Sequence, residues 1–360
     1  MNKTRFLLTL SLAITALLLA ACGTPPVNNW PGLSVDSEKA YLAAGAHVYA
    51  VELSTGSEAW RYPTEPNNKH QFFIAPSLTP DGQLLVGSAG TEHVFISLDP
   101  ATGKENWAAP FLGSKGPWMA APLVFEDQIY APNADGTLYI LDLQGSLVDS
   151  IELGGSLWSK PVTDGRLVYV ASLDHHLHII DPSLNENINT VDMGGAIPGG
   201  ATAAADGVYV GSFTGRLEAV SSSGQNQTLA ESEDWIWGAP ALKDDTLYFA
   251  DLGGRVYSLD LIKDVQNWSD IKPNGPIAAS LLPVDDMVVI VTESGEVYAY
   301  DPQGKEIWPR PYAAGGNLYT SPVAAADLIL VAPYHAEYLL IALDREGRLV
   351  WEFPPKEANQ

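Results

Sequence analysis

A single cysteine, Cys22, stands in a chain of 360 residues, which excludes an intramolecular disulfide, a thiolate metal cluster and a two-thiol redox site in any compartment. Basic residues are also scarce: 19 Lys and Arg face 43 Asp and Glu, for a formal charge of −24 at pH 7. So acidic a chain repels phosphate backbones and anionic lipid headgroups, and nucleic acid is excluded as a partner. No G-x-S-x-G elbow, H-E-x-x-H pair, phosphate loop or dinucleotide fingerprint occurs, so hydrolase, zinc-protease and nucleotide-binding readings lack their residues. No stretch keeps a helical apolar period over three turns, and little helix is expected. Apolar material is not lacking. Hydrophobic residues make up 46% of the chain and ten are tryptophan, enough for a core despite the charge, which leaves the acids as a solvated surface.

At the start of the chain, Lys3 and Arg5 precede a weakly polar to apolar run from Phe6 to Ala21 that stops at Cys22. That is the pattern of an export signal, and it is short for a membrane span. Leu19-Ala20-Ala21-Cys22 resembles the lipobox of bacterial lipoproteins, which implies cleavage before Cys22 and lipidation of that residue. On this reading residues 1–21 are a signal peptide, 22–31 a lipidated cysteine with a flexible tether rich in Pro and Asn, and the product is anchored to a membrane outside the cytoplasm. Loss of Lys3 and Arg5, with no acid lost, takes the formal charge from −24 to −26. Gly23 rather than an aspartate after the cysteine implies sorting to the outer membrane in a two-membrane bacterium.

The rest of the chain is a repeat. Its clearest copies are APSLTPDGQLLVGSAGTEHVFISLDPATGKENW from Ala75 and IAASLLPVDDMVVIVTESGEVYAYDPQGKEIW from Ile277; others begin at Gly32, Ala121, Lys160, Gly200, Ala239 and Ser321. One column, Glu52, Asp99, Asp142, Asp181, Ser221, Asp260, Asp301 and Asp344, closes the third apolar run of each copy at spacings of 39 to 47 residues. Each copy holds four short runs rich in β-branched and aromatic residues, parted by turn signals such as Asp135-Gly136 and Asp164-Gly165. Four-stranded units of about 40 residues repeated in series predict a β-propeller. Eight copies predict an all-β, eight-bladed propeller of antiparallel blades over 32–354, with 355–360 as a tail.

A turn glycine and a following tryptophan end four copies, Thr55-Gly56 with Trp60, Thr102-Gly103 with Trp107, Gly304 with Trp308 and Gly347 with Trp351, and Trp268 stands in the same place in another. The indoles are expected to pack between blades. In this column of acid, Thr-Gly turn and tryptophan the chain resembles the pyrroloquinoline-quinone-like (PQQ-like) repeat propellers, over almost its whole length after the tether. Copies three to five depart from the pattern, lacking a clear Trp in copies three and four and carrying Ser221 in the acid column. Joined to a lipoprotein signal, the repeats resemble the BamB-type lipoproteins of outer-membrane assembly, which implies a non-enzymatic scaffold with an envelope protein partner and no cofactor. The quinone-dependent dehydrogenases share the repeat, but many of them carry a pair of adjacent cysteines, which one cysteine cannot supply.

A second column bears on binding. Three positions before the small-residue-Pro step that opens a blade lie Phe73, Met119, Trp158, Trp237 and Tyr319, with Phe72, Trp118 and Trp235 beside them, while Pro198 and Ile277 interrupt the series. These residues fall where the chain crosses from the outer strand of one blade to the inner strand of the next. They are expected either to crowd one mouth of the channel, where they would bind a protein, a glycan or another small ligand, or to fill wedges between blades. Asp174-His175-His176-Leu177-His178 is the only local cluster suggestive of a metal. Strand alternation separates its members, and no metal site or catalytic residue is assigned.

Overall fold

Short tight turns and long runs of β-branched residues leave the chain one regular option, the antiparallel meander. The computed structural model describes residues 30–354; the expected signal peptide, Cys22, most of the tether and the C-terminal tail lie outside the described residues. Among the described residues there is no helix. Eight blades follow in chain order, each running outward from its first strand, over residues 32–62, 77–111, 123–152, 162–192, 201–231, 241–271, 282–313 and 323–353. The fold is the expected eight-bladed propeller.

Burial falls from the middle strands to the rim. Leu84–Gly87, Phe95–Leu98, Val168–Ala171 and Leu340–Leu343 are buried at every position, because each blade is covered on both faces by its neighbours. The outer strand Leu147–Glu152 is almost wholly exposed. Two blades have broken rims. In blade two, three regular strands are completed only by isolated bridges, Leu98 to Glu105 and Phe95 to Phe111; in blade seven the fourth strand shrinks to Tyr312–Ala313. Pro110 in the first case, and Pro309 and Pro311 in the second, supply no N–H to a ladder.

The tryptophans lock the five blades that carry them to the blade that follows. Trp60 Nε1 donates to the Pro100 carbonyl at 2.9 Å, Trp107 to Leu143, Trp268 to Pro302 and Trp308 to Arg345. The indole face lies under the turn glycine of the following blade: a Cβ on Gly103 would stand 2.7 Å from Trp60, and one on Gly145 2.5 Å from Trp107. No side chain fits there, and the positive φ of these turns suits glycine for a second reason. Where the tryptophan is missing the requirement lapses. The turns that follow blades three and five carry Asn185 and Asp264 at positive φ in the glycine position. Between blades four and five Asn189 takes the indole's place, its Nδ2 donating to Ser223 O at 2.9 Å beside Gly224. The acid column caps the same turns. Asp99, Asp142 and Asp301 each accept backbone N–H groups from two to four residues on, and Ser221 does the same with its hydroxyl toward Gln225 N.

Closure uses the same joint. Blade one is built from the first four strands and blade eight from the last four, so among the described residues no strand is exchanged between the ends. Trp351 Nε1 donates to Leu53 O at 2.8 Å, its indole covers Gly56, and residues of both end blades share one apolar cluster around Leu42, Leu340 and Phe353.

Candidate binding surface at the channel mouth

In a four-stranded meander the turns between strands one and two and between three and four lie on one side. The turns between two and three lie on the other, with the crossovers that lead to the next blade. The first side is acidic in every blade: Asp36, Asp81, Asp127, Asp164, Asp206, Asp244, Asp285 and Asp327 all sit in first turns. The second side carries the aromatic column.

There the crossovers alternate strictly. Phe72, Trp118, Leu157, Ile197, Ile236, Ile277 and Leu318 are fully buried between blades. The residue after each, Phe73, Met119, Trp158, Pro198, Trp237, Ala278 and Tyr319, lines a central cavity of about 460 Å³. The structure thus divides the sequence candidates. Phe72 and Trp118 are wedges; Trp118 packs 4.8 Å from the Phe95 ring and donates to His93 O at 3.3 Å. Ile277 belongs with Ile236 in the buried series, and the column position in that blade is Ala278, one residue on. The sequence reading had slipped there by one residue, which in an alternating segment exchanges inside for outside.

Trp30 occupies the same column before blade one and also lines the cavity, although the sequence places it in the tether. Its ring lies 5.2 Å from Tyr319 and 6.3 Å from Trp237. From Trp237 the chain of rings runs outward to Phe213 at 5.4 Å and on to Trp235, stacked on Phe213 at 4.7 Å and 51% exposed. From Tyr319 it runs to Tyr334 at 6.1 Å, which stacks with His335 at 3.8 Å. Seven rings therefore form one arc across the mouth, from the second hairpin of blade five to that of blade eight. Phe213 sits in a hairpin position held elsewhere by Ala134, Leu173 and Leu252, so an aromatic in that column was the signal available in the sequence.

The histidine cluster does not converge. His178 is buried, pairs with Asn187 and Thr190, and burial pushes its pKa down, which keeps it neutral. His176 is half-exposed and sits 3.3 Å from Asp174. Among the described residues no group of three His, Cys, Asp or Glu side chains is arranged to hold a metal. The cavity lining contains no carboxylate either. It offers no oxygen cage for the calcium that accompanies a quinone in the dehydrogenases sharing the repeat.

The profile of the family described as "Outer membrane protein assembly factor BamB" matches residues 44–270 and 266–359. The chain belongs to this family. Among solved structures, BamB from Moraxella catarrhalis superposes with a TM-score of 0.66 at 19% identity, covering 84% of this chain and 90% of that one. The computationally designed Ika8 protein superposes with a TM-score of 0.71 at 14% identity, covering 89% and 95%. At these identities the two structures speak for the fold alone. No curated protein sequence matches the chain. For a BamB-family propeller the notable local feature is the aromatic arc, built by residues of the crossovers and second hairpins and not by the repeat's own tryptophan column.

Proposed function

We propose that this chain is a non-enzymatic, lipid-anchored scaffold of the bacterial envelope. It binds a protein partner through the aromatic mouth face, in the outer-membrane protein assembly for which its family is named. The observation that carries this reading is the arc itself: a contiguous run of rings, open to solvent at Trp235 and His335, on an otherwise acidic ring. Trp and Tyr are the residues that concentrate binding energy at protein interfaces, and exposed apolar patches of this kind mark such interfaces. A rigid ring supports it, since the blades interlock and little ordering is required when a partner arrives. Membership of the family supports a scaffold over an enzyme, and Cys22 supplies the anchor.

A second reading, a receptor for a carbohydrate or peptide, is favoured by the central cavity, whose volume lies in the range of small-ligand pockets. Crosslinking in the native envelope followed by recovery of the full chain separates the two. The scaffold reading expects a barrel-assembly protein in the wild-type sample and its loss when Phe213 and Trp235 are both changed to Ala. A wild-type sample without protein partners would refute it and leave the receptor.

A further inference from the structure

Around the axis, the position two residues after the cavity-lining column is small in seven blades, among them Gly32, Ala75, Gly200 and Ser321. Space requires this. A Cβ on Gly32 would stand 2.2 Å from Ala75 N, and one on Gly200 2.8 Å from Ser159 Cβ. In blade four the same position holds Lys160. Its side chain is exposed at the mouth, and Lys160 is the one charged residue of the cavity lining. Its ammonium makes no hydrogen bond or ion pair among the described residues. The side chain keeps contact with solvent through the mouth, yet protein encircles it closely enough that burial pushes its pKa down. In a chain of net charge −24, this one unpaired cation, exposed at the mouth of an apolar cavity, is placed to meet an anion.

We infer that the mouth cavity binds an apolar acid, its hydrocarbon part held among Trp30, Trp158 and Trp237 and its single carboxylate on the Lys160 ammonium. The lining selects this chemistry. A lone ammonium is one compact charge with three donors, which a single carboxylate balances, whereas a phosphate monoester brings close to two negative charges that no second cation of the lining meets. A neutral sugar asks for several polar partners, but the lining's polar side-chain groups besides Lys160 are hydroxyls and indole N–H groups, with no carboxylate or amide among them. Of these, Thr320 already donates to Pro31 O, and Ser321 accepts from Ser280 N. This site does not rest on the scaffold reading: it concerns the cavity at the mouth, whereas partner capture is assigned to the exposed arm of Phe213 and Trp235. Two sources carry such a group, a free aryl or alkyl acid and the C-terminus of a peptide chain.

Calorimetric titration of the full chain with 4-phenylbutyrate, and with the uncharged 4-phenyl-1-butanol, tests the inference. The acid is expected to bind more tightly than the alcohol. Lys160→Met is expected to weaken the acid by about tenfold or more while leaving the alcohol unchanged, because a charge-assisted hydrogen bond is lost. Lys160→Arg, which keeps the charge, is expected to restore part of the affinity, and matched urea midpoints check that all variants fold. Equal affinity for acid and alcohol, no acid binding at all, or acid affinity unchanged in Lys160→Met overturns the inference. Acetyl-Ala-Ala-Leu-Leu as free acid and as C-terminal amide then separates the sources. Binding of the peptide acid but not the amide assigns the cavity to chain termini, and binding of 4-phenylbutyrate without the peptide assigns it to small acids. Envelope crosslinking with Lys160→Met reads the other question: partner recovery should persist, so failure of either reading is seen separately.

Discussion

At the scale of single residues, the pairing of indole and turn glycine makes sharp demands. Gly56 has a positive φ and a would-be Cβ 2.7 Å from the Trp351 ring, whereas Gly82 has a positive φ and nothing within 4 Å. Gly82→Ala should therefore cost about 1–2 kcal/mol, the ordinary penalty for a left-handed backbone. Gly56→Ala should add about 1–3 kcal/mol of overpacking to that. Urea unfolding of the two variants checks the difference, and equal losses would mean that the ring gives way. Trp351→Ala should cost about 3–5 kcal/mol, the range for emptying a buried indole site, because it opens the seam between the chain's ends. Glu218 makes the opposite kind of statement. It is 2% exposed, one oxygen accepts from Asn226 and the other has no partner among the described residues. Burial raises its pKa above the usual 4.5. The folded state thus holds this proton more tightly than the unfolded chain, and the associated stability is present at low pH and lost as pH rises through the raised value. Glu218→Gln should stabilise the protein at pH 7 by about 1 kcal/mol, with the gain vanishing once pH falls below 4.5.

At the scale of elements, the crossovers and second hairpins carry the binding surface while the strands carry the fold. Phe213 and Trp235 stack on each other at the rim and contribute little to any core. Changing both to Ala should lower stability by less than about 1 kcal/mol, as surface substitutions do, while abolishing partner recovery. Loss of stability comparable to Trp351→Ala would show instead that the arc is structural. The same division explains what was legible in the sequence. Strands repeat, so the acid column, the turn glycines and the tryptophans could be aligned copy against copy, and blade number followed. Crossovers vary in length and alternate in facing, so a column read across them places Phe73, Trp158, Trp237 and Tyr319 together but slips at Ile277 and adds the buried Phe72 and Trp118 alongside the exposed Trp235. Trp30 was missed because no copy precedes it to set the register. Phe213, Tyr334 and His335 join the arc only once blades five and eight are brought to one mouth, a proximity that no local pattern states.

For the whole molecule, the two faces differ enough to orient the ring on a membrane. Every blade puts an acid in its first turn on one face, and the aromatic arc lies on the other. The chain enters the ring at Trp30, on the aromatic face, eight residues after Cys22. Eight residues span at most about 28 Å when fully extended. A lipid on Cys22 would hold the mouth within that reach of the bilayer surface, with the face that carries the first turns directed away from it. Once Cys22 is lipidated no other thiol remains, so single cysteines can be placed at will for spin labelling. Thr214→Cys sits in the exposed second hairpin of blade five beside Phe213, and Gln303→Cys in an exposed turn of the opposite face. On vesicles carrying a chelated paramagnetic headgroup, the label at 214 should relax markedly faster than the label at 303. The Cys22→Ala form, left in solution, should show no difference. Equal relaxation at the two positions in the lipidated protein would mean that the ring tumbles on its tether, and the partner would then meet the mouth from the aqueous side and not at the membrane surface.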